Sequence, residues 1–176
     1  MQNNNLITPS LVDRLKGVVM FKAPVYKAIA EDPNADQPAL MIVIVSAVIS
    51  ALLNTVFGTG QGGLIGSLLL ALLTVIVSWL FGSWLTAFVA KKFFNGDTNM
   101  AEMKRVLGHT YIFQIVPVIG GILAIIGNVI GIREAAGFDT TKAILTAIIS
   151  GVIALVIAGV IFAAVMVPML ALGAAK

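Results

Sequence analysis

Residue types that could do chemistry are few in this sequence, and most stand outside its apolar stretches. One histidine, His109, and no cysteine leave neither a nitrogen–sulfur metal set nor a thiolate nucleophile. The eight carboxylates all fall in loops or at helix ends, so no pair stands inside an apolar segment for general acid–base work. The glycines of GTGQGG at 58–63 lack the Lys-Ser/Thr that a phosphate loop requires. His109 is the one ionisable group near the start of an apolar run. It could relay a proton or hold a ligand, and a hydrogen bond to a neighbouring helix or a place at the interface is the plainer role. An intramembrane enzyme would have to use His109 with Arg133 and Glu134. Three uncharged polar residues, Asn54, Gln114 and Asn128, also lie in apolar runs. They are costly to leave facing lipid, so they should point inward, gluing helices or lining a narrow path. No catalytic residue, cofactor or metal is expected.

The surroundings of these residues follow from solvent preference. Apolar residues make up 59% of the 176 and charged residues 11%, against about 25% charged in a soluble domain; mean hydropathy is +1.04. The charges cluster in 13–36, 91–105 and 133–142, with Lys176 at the end. Between these islands lie uncharged runs long enough to cross a bilayer core of roughly 30 Å. The basic balance, a pI near 9.4, does not point to nucleic acid, because the basic residues sit beside membrane segments and no basic patch interleaves with aromatics. The first long apolar run begins near Leu40, which predicts an internal signal-anchor retained in the mature protein.

The pattern predicts an all-α integral membrane protein: a lead at 1–37, then a bundle at 38–173. In the lead, Ser10 can cap a helix, with Asp13 favouring its positive end. Leu11, Leu15 and Val18 follow at helical spacing, Pro24 restarts the pattern, and Asp32-Pro33 ends it. Arg14, Lys16, Lys22 and Lys27 punctuate this amphipathic segment. It can lie on the membrane surface or pack on the cytoplasmic end of the bundle. Spans are expected at about 39–57, 64–90, 104–116, 118–132 and 142–172. The stretch 106–132 reads either as one span or as two short ones, a hairpin or re-entrant loop broken at Pro117 and Gly120-Gly121. With five segments, ten basic residues share one side against one opposite; with four, the split is nine to two. The positive-inside rule thus prefers five by a single charge.

Small residues recur at every fourth position: Ser78, Gly82 and Thr86; Ser46, Ser50 and Asn54; Gly127 and Gly131; Ser150, Ala154 and Ala158. Such stripes let helix backbones approach where apolar burial provides no drive. Internal packing is the plain reading, and an oligomer face is the alternative for Ser78, Gly82, Thr86, Gly127 and Gly131.

Three pieces carry a resemblance: LKGVVMFKAPVYKAIAEDPNADQPAL in the lead, VLGHTYIFQIVP, and most specifically GIREAAGFDTTKA. From about Leu11 to Val165 the chain resembles prokaryotic members of the Yip (Ypt-interacting protein) domain family of polytopic membrane proteins. Relatives open the third segment with a leucine–glycine–aromatic pattern followed by proline. Here Leu107 and Gly108 match, His109 replaces the usual tyrosine, and Pro117 comes later. Arg133, Glu134, Gly137, Thr140, Lys142 and Ala143 fit the family's loop. The resemblance implies five membrane segments and a cytoplasmic N-terminus, in a prokaryotic cytoplasmic (inner) membrane. Eukaryotic relatives bind Rab GTPases through a long cytosolic region with an Asp-Leu-Gly-Pro motif; this chain lacks the motif, so Rab binding is not carried over.

The resulting expectation is a non-enzymatic scaffold or accessory subunit whose partners are membrane lipids and other membrane proteins or itself. The alternative is a small transporter or channel for a neutral or lipid-like solute.

Overall fold

The computed structural model describes residues 10–56, 63–116 and 119–174, and all regular structure among them is helical. The lead forms two short helices, α1 (Leu11–Val19) and α2 (Ala23–Glu31). The Ser10 hydroxyl accepts the Asp13 backbone N–H at 3.2 Å, closing the first turn of α1. The chain reverses at Phe21, whose φ of 53° is left-handed, and Pro24 sits in the first turn of α2, where a missing N–H costs nothing. Val18, Tyr26 and Ile29 are buried, and the Tyr26 hydroxyl donates to the Val18 carbonyl at 3.0 Å. The apolar side of this pair packs on α5 (Met100–Thr110) and α6 (Ile119–Ala136), so the chain itself covers it.

Beyond a 3-10 turn at Pro33–Ala35, α3 (Asp36–Val56) and α4 (Gly63–Phe94) pack together. The loop expected at 58–63 lies outside the described residues, apart from Gly63. α5 starts at a capping box: the Asn99 side chain accepts backbone N–H groups of Ala101 and Glu102 at 2.9 and 3.1 Å, and Glu102 accepts the Asn99 N–H at 3.1 Å. It tightens into a 3-10 helix at Tyr111–Ile115, and α7 (Thr140–Ala174) follows α6.

α5 with its 3-10 extension runs antiparallel along α6: Val106 meets Gly131, Thr110 meets Gly127, and the Phe113 carbonyl meets Gly120. Pro117 lies outside the described residues. Among the described residues, four helices are long and apolar enough to cross a membrane: Pro33–Leu53, Gly63–Phe94, Ile119–Ala136 and Thr140–Ala164. α5, 11 residues long, spans about 16 Å, short of the hydrocarbon core. Leu69, Leu73 and Val77 on α4, Ile122 and Ile125 on α6, and Leu155 and Val160 on α7 are exposed. Lipid is the solvent that suits these faces. This is an integral membrane protein.

The charged islands meet at one end of the bundle. Arg105 Nε lies 3.0 Å from Asp36 Oδ1, and its Nη1 donates to the Ala30 carbonyl at 2.8 Å; Lys104 Nζ is 3.4 Å from the same carboxylate. The Asp97 N–H donates to the Ala136 carbonyl at 3.3 Å, and the Phe94 and Phe138 rings meet edge-on at 6.2 Å. The lead thus meets α5, and the 94–99 turn meets the α6–α7 junction.

Two α6 glycines differ in what a side chain would meet. At Gly131 a Cβ collides with Val106 and nears Tyr26 Cδ1 at 3.5 Å, whereas at Gly121 nothing lies within 4 Å. Gly131→Ala should cost about 1–3 kcal/mol by overpacking, and Gly121→Ala should cost nothing. Thermal unfolding in detergent would show the contrast; equal behaviour of the two variants would contradict the packing.

Candidate functional site

Two polar regions stand out, a charged cap at one end and an uncharged cavity within the bundle. The cap begins with Arg14, which is 5% exposed and pairs with Asp32. Burial alone would raise the Asp32 carboxyl, but the Asn34 backbone N–H and the Arg14 guanidinium outweigh it and hold it below the ordinary carboxylate range. Burial pushes the Tyr26 hydroxyl far above its usual value, so it stays a neutral donor. Of the four basic residues of the lead, only Lys16, Lys22 and Lys27 face outward; Arg14 turns inward because Asp32 awaits it there.

His109 is fully buried. Its Nδ1 lies 2.7 Å from the Arg105 carbonyl, an acceptor only, so Nδ1 carries the hydrogen; Nε2 has no partner among the described residues. It makes this bond within its own helix and does not line the cavity. Beside it, Gly108 admits Trp79, whose indole N–H donates to the Lys104 carbonyl at 2.9 Å and ties α4 to α5.

The loop that carries the resemblance works as a staple. Gly137, at φ 65°, ends α6, and the Phe138 N–H returns to the Arg133 carbonyl at 2.9 Å, a Schellman closure. Arg133 Nε donates to Glu134 at 2.9 Å. Asp139 accepts the Lys142 N–H at 3.0 Å, capping α7, and the Lys142 ammonium stands 5.9 Å from the Phe138 ring centroid.

The cavity, about 240 Å³, lies between α4, α5 with its 3-10 extension, α6 and α7. Ser78, Gly82 and Thr86 form one wall, with Ser150, Gly151 and Ala154 on α7. Thr110, Tyr111, Gln114 and Asn128 bring further polar groups to the lining, which among the described residues contains no Asp, Glu, Lys, Arg or His. The Thr110 hydroxyl lies 2.7 Å from the Leu107 carbonyl and 2.5 Å from the Asn128 side-chain amide, joining α5 to α6. Of the polar residues singled out from sequence, Gln114 and Asn128 come together here and His109 does not; the Asn54 side chain lies outside the described residues. Gly127 and Gly131 are elsewhere, under Thr110, Phe113, Val106 and Tyr26. Sequence reading missed Thr110, Tyr111 and Trp79. The four-residue spacing of Thr110 and Gln114 was the available signal.

The Yip1 domain family matches residues 16–166. No curated protein and no solved structure matches the chain.

A carboxyl held below its ordinary value adds stability that is complete above its unfolded pKa of about 4 and is lost as pH falls through the native value. Asp32→Asn should therefore cost about 1–2 kcal/mol at neutral pH, discounted for partial exposure. The gap in melting temperature from the parent should hold between about pH 8 and 5 and close below about pH 4. A gap that widens on acidification would contradict the pairing.

Proposed function

The chain belongs to the Yip1 domain family, and from that premise we propose that it is a non-enzymatic integral membrane scaffold or accessory subunit acting through protein–protein and protein–lipid contacts. The carrying observation is the far half of α7. Leu155, Val156, Ile157, Val160, Ile161 and Phe162 are all exposed, so successive residues on every side of the helix lack cover from the described residues. A helix apolar all round is at home only in lipid or against another membrane helix. The charged cap, with Lys91 and Lys92 in the last turn of α4, adds a basic platform suited to anionic headgroups. A photo-cross-linking residue at Ile161 in native membranes should give adducts to a second copy or another membrane protein, while the same residue at buried Val18 should give none. A lone monomer that carries no partner adduct and retains no lipid on purification would contradict this reading.

The cavity supports a second reading, a small transporter or channel for a neutral or lipid-like solute. Gln114 and Asn128 meet there beside a discontinuous helix, the kind of place where transporters bind. Proteoliposome flux of a neutral solute, lost in Gly82→Leu, would favour it; flux indifferent to that change would remove it.

Both readings use one topology. The lead, the 94–99 turn and the 137–139 turn are placed on the cytoplasmic side of a prokaryotic inner membrane, with α5 and α6 entering and leaving by the same face as the third and fourth of five segments. The gathering of the charged islands at one end supports this, with the basic excess marking that end. The chain has no native cysteine, so single cysteines at Lys22, Lys92 and Lys142 can be probed with an impermeant maleimide on sealed spheroplasts and inverted vesicles. All three should react only in inverted vesicles. Reaction of Lys142→Cys from the opposite side to Lys92→Cys would overturn the five-segment topology.

A further inference from the structure

The polar lining of the cavity exceeds what helix packing requires. Two lining hydroxyls are satisfied within their own helices, Ser83 by the Trp79 carbonyl and Ser150 by the Thr146 carbonyl, each at 2.7 Å. Thr86 is not. It is 6% exposed and lines the cavity, yet its hydroxyl makes no hydrogen bond among the described residues. The Tyr111 hydroxyl and the Gln114 and Asn128 amides also line the cavity, Tyr111 and Asn128 half-buried and Gln114 exposed. These groups stay accessible from the cavity, so a molecule that enters it finds donors and acceptors ready for its own polar atoms.

Size, charge and access narrow the filler. About 240 Å³ is the room of roughly eight waters, or of the glycerol-sized end of a larger molecule. With no acid or base in the lining, a charged headgroup would go uncompensated. Ser78, Gln114 and Gly151 form an exposed rim. Ser78 stands midway along α4, among exposed Val77, Leu80, Ile148 and Val152. The mouth therefore opens on an apolar flank at mid-span, away from the charged end.

We propose that the cavity takes up from the bilayer the uncharged, hydroxyl-bearing head of an amphiphile, such as the glycerol end of a monoacylglycerol, whose chain lies along the flank between α4 and α7. Thr86, Gln114 and Asn128 hydrogen-bond the hydroxyls. This rests on the cavity that motivates the second reading but not on transport: binding without flux would remove that reading and leave this site standing.

The test uses the full-length protein in phosphatidylcholine nanodiscs with a monoacylglycerol carrying a diazirine near its glycerol end, with adducts mapped by mass spectrometry. Adducts should fall on 78–86 and 150–154 and be displaced by excess unlabelled monoacylglycerol. Gly82→Leu and Gly151→Leu should reduce labelling to background from opposite walls. Nothing lies within 4 Å of an added Cβ at either position, so both variants should keep the parent's melting temperature. Thr86→Val should weaken displacement by roughly two- to tenfold, the range of one net hydrogen bond. Labelling unchanged in both filled variants would overturn the proposal. So would equal displacement by the lysophosphatidic acid of the same chain, which would deny the preference for an uncharged head. Displacement by free glycerol at the same concentration would make the ligand an aqueous solute and overturn uptake from the bilayer. Adducts that no unlabelled lipid displaces would mean a cavity that holds water.

Discussion

At the centre of the bundle two helix backbones come together over glycine. α6 presents Gly127 and Gly131, and onto them settle Val106 and Thr110 from α5 and Tyr26 from the lead. In lipid, burial of apolar surface gives helices no reason to associate, so contact of this closeness must supply the attraction. Its consequences spread outward. α5 and α6 lie antiparallel, the Phe113 carbonyl abuts Gly120, and Phe21 of the lead stacks on Phe113 at 5.2 Å. Thr110 is brought to Asn128, which sets one wall of the cavity.

The same antiparallel return disposes of the charges. Because α5 leaves the charged end and α6 comes back to it, Arg105 can hold Asp36 and the Ala30 carbonyl while Asp97 reaches Ala136. Ionic groups are thereby removed from mid-span, where they would be expensive. What remains inside is polar but uncharged.

Local rules made much of the fold legible. Ser10 and the Asn99–Glu102 pair mark helix starts by side-chain chemistry that needs no tertiary context, and the long apolar runs mark α3, α4 and α7. Hydropathy marks the bilayer, however, and not the helix. α4 runs on through Lys91, Lys92 and Phe94, and α6 through Arg133 to Ala136, until Asn95 and Gly137 turn left-handed. Contacts distant in sequence were not legible. Arg105 and Asp36 are 69 residues apart, and the inward turn of Arg14 depends on Asp32 arriving from another helix. Nor does a small-residue stripe reveal whether its face is filled: Gly131 and Gly82 look alike in sequence, yet one meets Val106 and the other open space.

The antiparallel return of α6 on α5 is most directly tested by one distance. With no native cysteine to interfere, spin labels at Ala101→Cys and Gly137→Cys, read by pulsed dipolar spectroscopy in nanodiscs, report on whether the two outer ends of this pair lie together. Helices packed side by side, roughly 8–10 Å between axes, should place the labels within about 25 Å once linkers are included. A distance near 54 Å, the length of one continuous helix over that stretch at about 1.5 Å per residue, would contradict it.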